Sequence, residues 1–544
     1  MLRVSTSNRS PILTSVMLLL SLLTATRGAA DDESTRDRRY RQLHEKRQTI
    51  LDDFQRDLES VQSWCNEYDL PVAKYEVAAL ALKIQAPDPD SAPSKFVTPP
   101  VSKSLPFEDQ QWQLQLRHHR EERANKLYTL ARATLRTGFP SLAFTMIGDV
   151  IRIDPDHKYA RSILGTQLFI DPSRKDDPDY AGEWVSAFEK QKRSGSRPQI
   201  YHPEYGWIPE SSLDRYNEGL RPWKNDWISK EKEAEQRRNF RNAWEIPSEN
   251  FLVRTNVSLE AGVRLSQRLE IFYDWLQKNL AAFFETPKTL QDRFENASSR
   301  SSGRKQNQMK VHYYKTRVEY QRSVEGKVPP NIETNGLYWE EDATSYFFEN
   351  PQKSDYSTLY HEATHQILEL ATRDARKVAA KAQSLKLKQR RITPLKLCEN
   401  SNFWILEGIA CYFESFDVEN GTVTVGRPDF QRIDIARQRI VDPMHSYYLP
   451  AQELAALGQE RFKLHPQIAQ LYTQGAGFAH FLMHYEDGLY RDDLITLLSK
   501  IYRPDPDAVL EEPSLPQISG VSFENLDRQY FTYMQNLTLQ LEQQ

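Results

Sequence analysis

The sequence predicts an α+β protein: a mainly helical N-terminal half, then a mixed half with a small sheet and one long helix that carries the chemistry. Three observations predict it. Apolar residues recur at helical spacing through residues 31–66 and 121–165. From about residue 246, short alternating segments separate long helical runs. The stretch Tyr360–Arg373 has helical periodicity, no Pro or Gly, and the pentad His361-Glu362-Ala363-Thr364-His365.

Taken in order, the first thirty residues read as an export signal. Arg3 and Arg9 precede the apolar run Ile12–Leu23, and Gly28-Ala29-Ala30 supplies small residues before Asp31. Cleavage near Ala30 would give a secreted or periplasmic chain; an uncleaved N-terminal anchor is the alternative. The apolar run is short for a membrane span, which takes about 20 residues, and no later segment qualifies. Residues 31–105 comprise a charged helical segment and a linker. Tyr40, Leu43, Ile50, Leu51, Phe54, Leu58 and Val61 form one apolar stripe, and a proline-rich stretch follows from Pro87 to Pro106.

Residues 106–175 contain two helices, Ala124–Leu135 and a second ending at Ile153, broken by Gly138-Phe139-Pro140 and closed by Asp154-Pro155-Asp156. This resembles one tetratricopeptide unit. A single repeat cannot make a solenoid, which needs about three, so a packed helical hairpin or a degenerate array is expected. Residues 176–245 are a connecting segment rich in Trp and Tyr (Trp184, Tyr201, Tyr205, Trp207, Trp223, Trp227), expected to pack its rings on neighbours. In residues 246–544 the pattern predicts strands at Phe251–Thr255, Met309–Tyr314, Gly336–Trp339 and Thr344–Phe348, and a long helix over Leu259–Phe284. With about 150 residues per domain, 544 residues suggest three or four units.

Charge is nearly balanced, 71 basic against 75 acidic residues, which gives no reason to invoke nucleic acid. Cys65, Cys398 and Cys411 are too few and too odd for a disulfide framework; Cys398 and Cys411 are either one bridge or buried thiols.

The pentad is the informative motif. Residues i and i+4 share one face of a helix, so the imidazoles of His361 and His365 can converge on one metal ion. Glu362 sits at the edge of that face, where it can act as general base on a water without being a ligand. Ser354 or Asp355 can cap this helix. Catalytic zinc keeps three protein ligands. Glu407, the only acid of the apolar helix Phe403–Ala410, is the third candidate, with Asn402 as a possible cap.

HExxH followed by Trp404-Ile405-Leu406-Glu407-Gly408 resembles the gluzincin metallopeptidases, which include aminopeptidase-N-type enzymes. The resemblance covers roughly residues 246–500. It extends to uncharacterised secreted bacterial proteins that join helical N-terminal segments to a zincin domain. It implies a zincin-type catalytic domain, one zinc on His361, His365 and Glu407, Glu362 as general base, and hydrolysis of peptide bonds. It also implies an oxyanion-stabilising role for Tyr472, which stands in a YxxG segment ending at Gly475. Some members place an aspartate four residues after the third ligand to orient a histidine, but Cys411 occupies that place here. The spacer is long, and its stretch Arg373–Lys396 carries nine bases against Asp374; it reads as a solvated helix face. No GAMEN-like sequence precedes the motif, so nothing supports an aminopeptidase. His480 and His484 share helical spacing but have no third ligand, and read as structural.

The expected activity is therefore a zinc metallopeptidase acting on a peptide or protein substrate laid along the sheet edge near Gly336–Trp339. The alternative is a non-catalytic zinc protein whose helical N-terminal half binds a protein partner.

Overall fold

The computed structural model describes residues 35–85, 94–296, 308–329, 333–350, 356–389, 391–392, 394–419, 422–509 and 511–542. The expected signal segment, Ser354 and Asp355 lie outside them. The chain is 61% helical with a small mixed sheet and several two-stranded sheets, the α+β class that its sequence predicts. Contacts divide it into Met1–Thr49, of which the described part is the opening of one helix, and Ile50–Gln544. All packing below concerns the second unit.

The charged segment folds as helix α1 (Thr35–Glu67), whose Phe54, Leu58 and Val61 are buried as their spacing requires. A helix the sequence reading missed, α2 (Pro71–Gln85), follows. The proline-rich stretch is no free linker from Ser94 onward. Phe96 bridges to Glu183, and the Thr98 N–H donates to Asp156 at 3.0 Å.

Helices α3 (Phe107–Arg136) and α4 (Pro140–Ile153) make the expected hairpin, with α5 (Lys158–Ile163) after it. The hairpin is bonded directly to the second half of the chain. Tyr128 Oη donates to Phe294 O at 2.9 Å, and the Ser141 N–H donates to the buried carboxylate of Asp492 at 3.1 Å. That carboxylate serves the first turn of α4, which has no side-chain cap of its own.

The aromatic segment is a threefold internal repeat. Hairpins β1 (Thr166–Phe169)–β2 (Glu183–Ser186), β3 (Gln199–His202)–β4 (Gly206–Pro209) and β5 (Leu220–Trp223)–β6 (Asp226–Ser229) each lead into a short helix. These helices are α6 (Ala187–Arg193), α7 (Leu213–Asn217) and α8 (Lys230–Gln236). The outgoing strands read Trp184-Val185-Ser186, Trp207-Ile208-Pro209 and Trp227-Ile228-Ser229. Ser186 and Ser229 cap the helices that follow them. The rings pack against cations within the repeat: the buried Arg221 guanidinium lies 4.7 Å from the Tyr205 ring centroid and 5.0 Å from that of Tyr216.

The main sheet has five strands, β7 (Trp244–Pro247), β8 (Phe251–Thr255), β9 (Met309–Tyr314), β10 (Gly336–Trp339) and β11 (Thr344–Phe348), in the order β10-β11-β9-β8-β7. The three central strands are parallel and both edge strands antiparallel. Helix α9 (Leu259–Asn279) connects β8 towards β9; the single helix expected to Phe284 breaks at Leu280, where φ is -114° and ψ 32°, and resumes as α10 (Ala281–Phe284). Across the sheet lies α11 (Ser357–Lys386), which bears the HExxH pentad. The buried amide of Gln366 fixes its register: Nε2 donates to Lys310 O at 2.9 Å and Ala343 O at 3.1 Å, and Oε1 accepts from Ser345 Oγ at 3.0 Å. After α11 come, among shorter elements, helices α12 (Phe403–Phe413), α13 (Gln431–Val441), α14 (Ile468–His484), α15 (Arg491–Tyr502) and α16 (Phe523–Glu542). Among the described residues, no helix is long and apolar enough to cross a membrane.

His480 and His484 lie in this helical core, on α14. His480 Nε2 donates to Gly426 O at 2.8 Å and Nδ1 accepts from Tyr533 Oη at 2.9 Å; His484 Nε2 meets Tyr412 Oη at 2.8 Å. Burial pushes His480 down to about 4, and burial and then the His480 and Arg491 charges push His484 well below its ordinary value. The unfolded chain therefore takes up these protons first, and stability is lost as pH falls from about 6.5 towards 4. His480 alone should cost about 2 kcal/mol between about pH 7 and pH 5. Urea unfolding at the two pH values checks this, and His480→Gln should shrink the difference; an unchanged difference refutes the assignment.

Candidate metal centre

Helix α11 presents three of the predicted residues. Tyr356 stands at its N-cap position, and its side chain makes no capping hydrogen bond. The His361 and His365 rings meet edge to face one turn apart, their Nε2 atoms 3.3 Å from each other. Glu407 reaches the same point from α12: its Oε2 is 3.6 Å from His361 Nε2 and 3.7 Å from His365 Nε2. All three are half-buried, and their donor atoms lie within 4.8 Å of one another. An ion about 2.0–2.1 Å from each ligand in a tetrahedron sets donors about 3.3–3.4 Å apart. The observed spacing fits that set to within a few tenths of an ångström.

Asn402 does not cap α12. It sits in the left-handed region (φ 57°), and its amide donates instead to Pro513 O at 2.8 Å. The helix is positioned by its packing. Gly408, beside Glu407, crosses Gly475 of α14, and a Cβ on Gly408 would stand 2.7 Å from Gly475 O. The pairs Glu407-Gly408 and Tyr472…Gly475 thus have a packing reason: two glycines let the helices touch backbone to backbone, which brings Tyr472 towards the ligands. The Tyr472 ring rests against Phe462, with centroids 5.6 Å apart. Burial, then the charge of Glu407, raises its hydroxyl pKa well above the usual tyrosine value.

Glu362 faces the sheet edge. Its Oε2 accepts the Tyr338 N–H of β10 at 2.8 Å. Tyr338 is tied down twice, since its hydroxyl donates to the buried Glu369 at 2.5 Å, one further turn pair along α11. Arg373 and Arg376 brace Glu369 in turn. So two of the bases in the run expected to be a solvated face are structural, while Lys377 is exposed.

Burial alone would lower the His361 imidazole, but hydrogen bonds with Cys411, Glu407 and Glu414 raise it well above its ordinary value. Burial alone would raise Glu407, yet the two imidazoles hold it well below the usual carboxylate range.

Compared with family models, curated proteins and solved structures, the chain finds no match.

Two functional groups escaped the sequence reading. Glu414 accepts from His361 Nδ1 at 2.9 Å, and Arg432 of α13 donates to Glu414 at 2.5 Å. Glu414 lies seven residues after Glu407, two turns on, so helical periodicity alone marks it as a candidate. Nothing in the sequence marks Arg432. Cys411 is buried with its Sγ 4.0 Å from His361 Nδ1, and Cys398 and Cys411 are both free thiols. His361, Cys411 and Glu414 also group closely enough to hold an ion. The Arg432 guanidinium already supplies the positive charge there, so this group serves His361 better than a second metal.

Proposed function

We propose that this chain is a zinc-dependent peptidase of the gluzincin kind. The convergence of His361, His365 and Glu407 at zinc-like spacing, with the Glu362 carboxylate next in sequence held by the Tyr338 N–H, is the observation that supports it most. A zinc ion held by these residues supplies a Lewis acid and lowers the pKa of water. Glu362 takes the proton of the attacking water and returns it to the leaving amine. Its position, fixed by the Tyr338 N–H, keeps one oxygen engaged and leaves the other for that proton. Tyr472 donates to the oxyanion as it forms. The substrate main chain lies along edge strand β10. The N-terminal apolar stretch makes secretion or periplasmic export part of the reading.

The test is metal content of the purified chain beside His361→Ala. About one zinc per chain, lost in the variant, is expected. No zinc after reconstitution sinks the proposal.

A second reading has its own observation. Val72, Tyr75 and Leu82 of α2 are 70%, 76% and 66% exposed. Such a surface suits a protein partner of the N-terminal half. A zinc-loaded chain inert on a broad peptide library, yet retaining one partner in pull-down, favours it.

A further inference from the structure

We propose that Glu414, braced by Arg432, is the positioning residue that aims His361 at the metal. The inference rests on the metal-site reading above and extends it to residues no motif marks. His361 has two ring nitrogens. If Nδ1 carries the proton, Nε2 keeps its lone pair for a ligand bond, and the partner of Nδ1 fixes both tautomer and ring rotation. Here that partner is Glu414 Oε1 at 2.9 Å. The other carboxylate oxygen, Oε2, is taken by Arg432 Nε at 2.5 Å. Each oxygen thus has one charged or polar donor, and the carboxylate cannot turn without losing one of them. Its side chain is only 11% exposed, so the surroundings confine it as well.

The placement follows from the helix. Residues four and seven after Glu407 both return to its face. Residue four is Cys411, whose sulfur stays 4.0 Å from Nδ1, a weak contact at best. Residue seven is Glu414, at the end of α12, where the longer Glu side chain reaches back to His361. A carboxylate that far along the helix needs a second anchor, and Arg432 of α13 provides it.

The chain's own zinc affinity tests this, read by competition with a chromophoric chelator on the full-length protein. Glu414→Gln should weaken zinc about 10–100-fold. It should leave the unfolding midpoint of the metal-free protein within reach of the parent's. Cobalt loaded in place of zinc should show a shifted visible spectrum in the variant. Should the lone Arg432 charge prevent folding, the neutral pair Glu414→Gln with Arg432→Met removes both charges and reads the same constant. Arg432→Met alone should weaken zinc by a smaller factor. Zinc binding in a folded Glu414 variant within about twofold of the parent, with an unshifted cobalt spectrum, overturns the proposal. Failure of the parent to bind zinc through His361 instead overturns the metal-site reading on which it rests.

Discussion

Glu362→Gln should bind one zinc as the parent does and cleave a quenched-fluorescence peptide library on the order of a thousandfold more slowly. The substitution is isosteric, and the amide oxygen of Gln still accepts the Tyr338 N–H that holds Glu362. The edge strand, the register set by Gln366 and the three ligand atoms should all stay in place. What disappears is a group that can take up a proton. Metal content, the unfolding midpoint and turnover, measured on one preparation, separate this loss from a folding defect. Turnover that survives in the zinc-loaded variant would falsify the assignment of Glu362 as general base. Loss of zinc along with turnover would instead place Glu362 among the ligands.

The second large effect is expected at the α12–α14 crossing. Replacing a helical Gly by Ala ordinarily stabilises by up to about 1 kcal/mol. At Gly475 the added Cβ would stand 3.2 Å from Gly408 Cα and 3.4 Å from Trp404 O, a modest squeeze. Gly475→Ala should therefore come out near neutral. At Gly408 the same atom would meet Gly475 O at 2.7 Å and Gly475 C at 2.9 Å, both backbone atoms that cannot rotate away. The helices must separate, at a cost of about 1–3 kcal/mol that outweighs the propensity gain. Because Glu407 rides on the helix that must shift while His361 and His365 stay on α11, Gly408→Ala should also weaken zinc binding. Urea midpoints for the two variants, with zinc affinity for each, test the ordering. Equal midpoints, or a less stable Gly475→Ala, refute it.

The parts of this protein legible in its sequence are those with a local period. Strands β8, β9, β10 and β11 fall on the predicted residues because burial alternates along β8 and the start of β9, while β10 and β11 are short runs rich in aromatic side chains. The buried stripe of α1 and the hairpin α3–α4 follow from helical spacing. His361, His365 and Glu407 were legible because two share a helix turn and the third is a lone acid among apolar neighbours. What was not legible depends on partners distant in sequence. Asn402 looks like a cap, yet its amide is drawn off by Pro513 O. Gln366 reads as one more polar residue on a helix until β9, β11 and the turn before β11 supply its three partners. Arg432 has no local signature, and Glu414 acquires its meaning only from the histidine it faces. The threefold repeat was present in the tripeptides after each Trp, but the hairpin lengths differ and blur its period.

The hydrogen bonds between Asp492 and the first turn of α4 bear on how this protein can be divided or inherited. A boundary near residue 245, natural from composition, cuts through bonded packing. Phe294 stacks edge-on against Phe144 at 5.2 Å and gives its carbonyl to Tyr128. Severed at that boundary, residues 246–544 would lose the Ser141 donors of Asp492 and expose the Phe294 surface to water. Within the compact unit Ile50–Gln544 the two halves should therefore unfold together, and moving the half that carries His361, His365 and Glu407 onto another N-terminal module should cost solubility unless something replaces helix α4.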